Sequence, residues 1–346
     1  MEDTIRDIKH ELGDRKKIKI AINGFGRIGR MVFRVAYEDP DVEVVVINDL
    51  SPISNGAYFL KYDTAQGNFN VGVEHDDSNL YVGDKKIPYI SEKDPEKLPW
   101  GDYDVDVVAE CTGVFKRAED NEVHIRNGAS KVLVSAPVKG EAFYLVRGVN
   151  DETYSGEKIV SNGSCTTNSM TAVVDRIHKE FGIEKGMFST VHSVTGDQRI
   201  IDTNHSDVRR GRAGPFNIIP TTTGAAKAVT KLVTDLEGKL HGIAYRVPTI
   251  TGSVTDLNLE LSREVSRDEI NSFLRDISNN ELNGVVEYTE EPIVSSDIIG
   301  NSHSGIVDGL STEVVDGKMV KLVIWYDNEW GFSKRMVEVI KIMAEN

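Results

Sequence analysis

The sequence predicts an α/β protein, with a doubly wound parallel sheet in its first half and an α+β domain on a broad mixed or antiparallel sheet in its second. Three observations predict it. Short Val/Ile-rich runs alternate with helical patterns up to about residue 164. Beyond that point the strands lengthen and alternate apolar with polar positions. A chain of 346 residues also exceeds one ordinary core, which at roughly 100–200 residues per domain implies two.

KIKIAI (17–22) is a short β-rich run that enters NGFGRIG and then a helical pattern through Met31, Val32, Val35 and Ala36. VEVVVIND (42–49), VDVVAECTG (105–113), KVLVSAP (131–137) and KIVSNGS (158–164) suit strands buried on both faces, with a helix over 117–127 between two of them. From Cys165 onward, MFSTVHSVT (187–195), SVTDLNLEL (253–261) and MVKLVIWYD (319–327) alternate as half-buried strands. Helical patterns at 166–181, 224–235 and 266–276 cover one face, and the amphipathic segment 332–346 returns to the first domain. The expected organisation is an N-terminal extension (1–16), a dinucleotide-binding domain (17–164), a catalytic domain (165–331) and a C-terminal helix (332–346). Ile5, Ile8 and Leu12 fall on one face of a helix in the extension, leaving open a docking segment or a frayed end.

No apolar run approaches the ~20 residues needed to cross a bilayer, and the first sixteen residues lack the apolar stretch of a signal peptide, so cytoplasm is the expected location. Forty Lys and Arg against 55 Asp and Glu leave a net charge of −15, which disfavours nucleic acid and anionic membrane as primary partners. An anionic small substrate then requires a local basic pocket. Whether the acidity reflects adaptation to salt stays open. Two cysteines, Cys111 and Cys165, support neither a disulfide framework nor a four-cysteine metal site, and no metal is expected.

Gly24, Gly26 and Gly29 form G-x-G-x-x-G between a strand and a helix, where glycine permits the tight turn and lets a pyrophosphate approach backbone amides. Asp49 ends the second apolar strand at the spacing that places a carboxylate on the ribose hydroxyls of an adenosine half. This marks the first domain as Rossmann-type. A carboxylate there repels a 2′-phosphate, so NAD is expected over NADP, with NADP left open.

Cys165 lies in SNGSCTTN after an apolar strand and before a helical stretch, where helix amides lower a thiol pKa and stabilise an oxyanion. Cys111, in AECTG, sits in a buried-type strand and reads as a small core residue. Thiolate addition to an aldehyde, hydride loss and thioester formation need a cysteine with a base, and His192 is the leading candidate among eight histidines.

INGFGRIGR (22–30), SNGSCTTN (161–168), HSVTGDQR (192–199), RRGRAG (209–214), IPTTTGAAKAV (219–229), RVPT (246–249) and WYDNEWGFS (325–333) occur in an order that resembles the phosphorylating glyceraldehyde-3-phosphate dehydrogenases, over nearly everything after residue 16. The resemblance implies Cys165 as nucleophile and His192 as its base, then acid. It implies Thr195, Asp197, Arg210 and Arg246 around the substrate phosphate, and Ser164, Thr166, Thr223 and Gly224 around inorganic phosphate. On the cofactor side it implies adenosine and pyrophosphate contacts at Arg27, Ile28 and Asp49, Ser135 near the nicotinamide, and Asn328 on the carboxamide. It further implies conversion of glyceraldehyde 3-phosphate and phosphate to 1,3-bisphosphoglycerate in glycolysis or gluconeogenesis. A homotetramer is implied too, with the loop from Thr195 to Gly214 lining a neighbour's cofactor site.

Gly163, Val194 and Gly196 depart from the usual alanine, tyrosine and asparagine without removing a reacting group. Thr203-Asn204 stand where NAD-selective members carry Leu-Pro, which relaxes the expected exclusion of NADP. Two other functions stay open: an erythrose-4-phosphate dehydrogenase, which hydrolyses its thioester, and a binding protein on the same scaffold.

Overall fold

The computed structural model describes residues 17–346, so the helix face of Ile5, Ile8 and Leu12 lies outside the described residues. Among the described residues, the first sheet contains β1 (Ile18–Asn23), β2 (Val42–Asn48), β3 (Val73–His75), β4 (Asn79–Val82), β5 (Lys85–Ile90), β6 (Val107–Glu110), β7 (Lys131–Val134), β8 (Phe143–Tyr144) and β9 (Ile159–Ser161). Their spatial order is β3-β4-β5-β2-β1-β6-β7-β9-β8. β1 pairs in parallel with both β2 and β6, and β6, β7 and β9 continue in parallel. The doubly wound parallel sheet expected from the sequence is thus present, and β3-β4-β5 adds an antiparallel edge to it. Antiparallel neighbours need only a tight turn, here at Gly83 with φ +58°, whereas a parallel pair needs a long crossover.

The glycine turn follows from packing as well as from conformation. Gly24 has φ +93°, which favours glycine, and its amide donates to Asn48 O at 2.8 Å. A Cβ on Gly29 would stand 2.1 Å from Gly24 O, so only glycine lets the helix Arg27–Glu38 lie this close to the turn. That helix buries Met31, Val32, Phe33, Val35 and Ala36 against the sheet.

The second sheet contains β10 (Ile183–Ser193), β11 (Ile219–Thr222), β12 (Leu240–Val247), β13 (Ser253–Leu261), β14 (Val286–Thr289), β15 (Gly305–Asp308) and β17 (Met319–Tyr326), with β16 (Glu313–Val315) paired to β17. It is mixed: β10 runs parallel to β12 and antiparallel to β13, and β13 is antiparallel to β17. Alternation along β13 places Leu257, Leu259 and Leu261 in a core shared with the helices Cys165–Phe181, Ala225–Leu232 and Arg267–Asn279.

The last helix, Trp330–Glu345, begins two residues before the amphipathic pattern. Asp327 Oδ1 accepts the amides of Glu329 and Trp330 at 2.9 and 3.0 Å and so starts the helix early. Its Met336, Val337, Ile340 and Met343 are fully buried in the core of the first sheet. At about 1.5–3 kcal/mol for each large apolar side chain, this burial ties the chain end to the first domain. Among the described residues, no helix is long and apolar enough to cross a membrane.

Candidate active site

Cys165 opens the helix Cys165–Phe181, whose N-cap is Ser164. Ser164 Oγ accepts the Thr167 amide at 3.1 Å, so one free amide of the first turn is satisfied and the helix start is rigid. Gly182, at φ +69°, ends the helix and turns the chain into β10. β10 carries His192 back to the nucleophile: Cys165 Sγ and His192 Nε2 are 3.4 Å apart. His192 is buried, and its Nδ1 lies 2.8 Å from Ser193 O. In the tautomer whose Nδ1–H donates to that carbonyl, the Nε2 lone pair faces the thiol.

Arg246 stands opposite His192 in the parallel register of β10 and β12. Its Nη1 contacts His192 Nδ1 and donates to Ser193 O at 3.2 Å, while its buried Nε has no hydrogen-bond partner among the described residues. Burial, Arg246 and Arg210 push His192 down to about 3 against the raising effect of Ser193 O. Burial pushes the Cys165 thiol up, opposed by Arg246 and by the Thr166 amide and hydroxyl. The expected lowering of the thiol by the helix N-terminus is therefore present but outweighed, because desolvation of a thiolate exceeds the amide contribution. Burial thus favours the uncharged forms of both groups, the thiol and the neutral imidazole.

The proposed phosphate groups fall into two sets. Arg210 donates to Asp197 Oδ2 at 2.8 Å, to Thr221 Oγ1 at 2.8 Å and to Thr222 O at 3.2 Å. Thr195 is held by Gln198 Oε1, which accepts its amide at 2.8 Å and its hydroxyl at 3.1 Å. Burial and the nearby Arg210 push Arg246 below its ordinary value, so two guanidinium groups stand together as a local basic feature in a chain of net charge −15. Thr166 and Ser164 share the first helix start, and Thr223 Oγ1 accepts the Ala225 amide at 3.2 Å beside the N-cap Gly224 of Ala225–Leu232. These two helices pack together. Each of the two helix N-termini is an anion-favouring feature.

Tyr326 was not singled out from the sequence. Its hydroxyl lies 2.9 Å from Thr166 Oγ1 and 2.7 Å from Thr190 Oγ1, joining the helix start to β10, and its ring meets His192 edge to face at 6.0 Å. Its position in WYDNEWGFS was the available signal.

On the cofactor side, the first-turn amides of Arg27, Ile28 and Gly29 lack intrahelical acceptors, and a Cβ on Gly26 would meet nothing within 4 Å. This open turn borders a cleft of about 630 Å³ lined by Gly24, Asp49, Leu98, Thr112 and Phe115. A second cleft of about 730 Å³ shares Gly26 and Asp49. Asp49 Oδ2 accepts the Phe25 amide at 2.6 Å and Oδ1 the Ser51 amide at 2.8 Å, so the carboxylate is oriented by backbone. Donor amides, an open glycine and a fixed carboxylate fit an adenosine diphosphate moiety.

Asn328 is buried, and its Oδ1 accepts from Ser193 Oγ and Ser253 Oγ at 2.9 Å and from the Gly252 amide at 3.2 Å. Its carbonyl is saturated, which leaves the amide N–H groups as donors for a carboxamide oxygen. The Arg27 side chain is tied instead to Asp63 and Glu329; hydrogen bonds to both carboxylates overcome the lowering by burial and hold its pKa above the ordinary value. Any cofactor contact from Arg27 therefore comes from its backbone. Ile28 packs on the core. Ser135 bonds Glu110 O through its amide at 3.0 Å and Cys111 through its side chain. Cys111 lies just past β6, half-buried on the first cleft, which corrects the fully packed position expected of it.

Two sequence families match the chain: the glyceraldehyde 3-phosphate dehydrogenase NAD binding domain over residues 18–118 and the glyceraldehyde 3-phosphate dehydrogenase C-terminal domain over 164–328. A glyceraldehyde-3-phosphate dehydrogenase of Geobacillus stearothermophilus is 49% identical over 329 residues, covering 94% of this chain and 98% of that protein. The chain belongs to the glyceraldehyde 3-phosphate dehydrogenase family. Glyceraldehyde-3-phosphate dehydrogenase 1 of Kluyveromyces marxianus is 47% identical over 94% of this chain and 100% of its own length. Glyceraldehyde-3-phosphate dehydrogenase 1 of Bacillus subtilis (strain 168) is 46% identical over 95% and 98%. As a family member, the chain pairs a Rossmann-type NAD-binding domain with a catalytic domain.

Proposed function

We propose that the protein converts glyceraldehyde 3-phosphate, inorganic phosphate and NAD to 1,3-bisphosphoglycerate and NADH. The observation that carries this reading is Cys165 Sγ at 3.4 Å from His192 Nε2, at a helix start beside Arg246. The domain division at 17–164, 165–331 and 332–346 belongs to the same proposal.

As the aldehyde binds, the Cys165 sulfur forms a bond to its carbonyl carbon while His192 Nε2 takes the thiol proton. Amides at the helix start favour the developing oxyanion. His192 returns its proton to that oxygen and later removes it as the carbonyl reforms. NAD, held by the Gly24–Gly29 turn, Asp49 and Asn328, supplies the hydride acceptor when bound. A phosphate oxygen then adds to the resulting Cys165 thioester, the carbon–sulfur bond breaks, and the sulfur leaves as thiolate and is reprotonated by His192. Thr195, Asp197, Arg210 and Arg246 hold the substrate phosphate, and Ser164, Thr166, Thr223 and Gly224 the attacking phosphate. Neutral imidazole at rest suits this cycle, since the base is free before substrate arrives.

A homotetramer in the cytoplasm completes the proposal. Ile200, Ile201, Val208, Phe216 and Ile218, on the segment that includes the Thr195–Gly214 loop, are 69–81% exposed, an apolar stripe suited to burial against another copy. Thr203 and Asn204 on the same segment are exposed, so a neighbour's cofactor site would meet them. Light scattering of the purified protein tests this assembly; a monomer rejects it.

Initial rates with glyceraldehyde 3-phosphate, NAD or NADP, with and without phosphate, test the chemistry. Phosphate-dependent NAD reduction that disappears in Cys165→Ser supports it. Turnover indifferent to phosphate points to thioester hydrolysis, as in the erythrose-4-phosphate reaction, and rejects the phosphorylating assignment.

A further inference from the structure

Asn328 is held by its own domain, through Ser193, Ser253 and Gly252, and each of its chain neighbours also accepts a hydrogen bond from the other domain. Asp327 Oδ2 accepts from Gln66 Nε2 at 2.9 Å and from the Gly300 amide at 2.8 Å. Glu329 receives both Nε and Nη2 of Arg27, the residue immediately after Gly26. Arg27 in turn grips Asp63 with Nη1 at 2.9 Å and Nη2 at 3.1 Å. The loop closes through Asp63 Oδ1, which accepts the Ala65 and Gln66 amides at 2.9 Å each.

We propose that this ring, Arg27–Glu329–Asp327–Gln66–Asp63, is an interdomain clasp that positions Asn328 relative to the glycine turn and so sets the separation between the two ends of the cofactor site. It rests on the reading that Asn328 holds the nicotinamide carboxamide. A dinucleotide has a fixed reach between its adenosine and nicotinamide halves, so the amide that holds one end must be registered against the turn that holds the other. The direct polar links around Asn328 that cross the domain boundary run through this ring. Arg27 is suited to the task because forked guanidinium–carboxylate pairs fix orientation as well as distance. The side chains of Glu329 and Asp63 are only 9% and 2% exposed, so solvent screens the ring weakly. Gln66 adds a neutral link to the carboxylate that also starts the last helix. Each member acts through Asn328 and is a positioning residue.

The test compares NAD with ADP-ribose, which lacks the nicotinamide, by calorimetric titration of the full-length protein. Glu329→Gln keeps the shape and removes the charged grip, while Asp63 still holds Arg27. The expected result is a loss of NAD affinity of about tenfold with ADP-ribose affinity unchanged. KM for NAD rises while KM for glyceraldehyde 3-phosphate holds. Gln66→Leu shifts the same ratio by a smaller factor. Equal weakening of both ligands assigns Glu329 a purely structural role and overturns the clasp, as does an unchanged ratio. Asn328→Ala separates this inference from the reading beneath it. If that variant binds NAD as the parent does, the carboxamide assignment fails and the clasp with it. If it weakens NAD while Glu329→Gln does not, the clasp alone fails.

Discussion

His192 and Arg246 are register partners on adjacent parallel strands, and the guanidinium meets the imidazole on the side away from Cys165. In a buried site a fixed cation opposes a second positive charge and favours a negative one. Arg246 therefore lowers the proton affinity of His192 and also works against the upward push of burial on the Cys165 thiol. One side chain acts on both members of the pair.

His192 titrates at about 3 in the folded protein against an ordinary 6.5. Between those values the unfolded chain binds the additional proton, so this group makes stability rise with pH from about 3 to about 6.5 and contributes no slope above. His192→Asn removes that contribution. Thermal midpoints between about pH 4 and pH 7 should slope less steeply in the variant than in the parent; parallel slopes reject the assignment. Turnover should drop by about 10²–10⁴-fold through loss of the base.

Gly29 and Gly26 separate fold from cofactor. Gly29→Ala drives a Cβ to 2.1 Å from Gly24 O and should destabilise the protein by about 1–3 kcal/mol, read as a lower urea midpoint. Gly26→Ala meets nothing within 4 Å, so the same measurement should move little while NAD affinity falls. Equal loss of stability in both variants would contradict the distinction.

Tyr326→Phe deletes the hydroxyl between Thr166 and Thr190 and leaves two hydroxyls without that partner in a buried site. A loss of about 1–3 kcal/mol in stability is expected. Because Thr166 adjoins the nucleophile, Cys165 alkylation should also change rate under native conditions. A variant with parental stability and parental alkylation kinetics rules out the bridge.

Asp49→Asn keeps an acceptor for one of the two backbone amides that Asp49 holds and removes the negative charge at the cleft. The ratio of NADP to NAD efficiency should rise by about tenfold, equivalent to roughly 1.4 kcal/mol. An unmoved ratio transfers selectivity to other residues, with exposed Thr203 and Asn204 the next to change.

The fold was legible where its cause is local. Strand, glycine turn and helix around Gly24–Gly29 follow from φ and from close approach, and alternation along Ser253–Leu261 reports a sheet with one buried face. Less visible were β3, β4 and the helix Ile53–Lys61, whose short segments carry little periodicity. Chemistry-bearing residue types were legible for the same reason: Cys165 after a strand and before a helix needs no distant partner to be noticed. Their electrostatics were not. A helix N-terminus alone argues for a lowered thiol, and burial reverses the balance. Burial of a particular sulfur is a property of everything packed around it.

By itself the sequence determined the fold class, the glycine turn and the candidates Cys165, His192 and Asp49, because backbone freedom, hydrophobic period and residue chemistry act over a few neighbouring positions. Only the tertiary structure decided that Cys165 and His192 stand 3.4 Å apart, that Arg246 lies against the imidazole, and that Arg27 grips Glu329, 302 residues away. Those relationships depend on how two sheets and a returning helix pack, and packing is settled by the sum of many weak contacts that no local pattern contains.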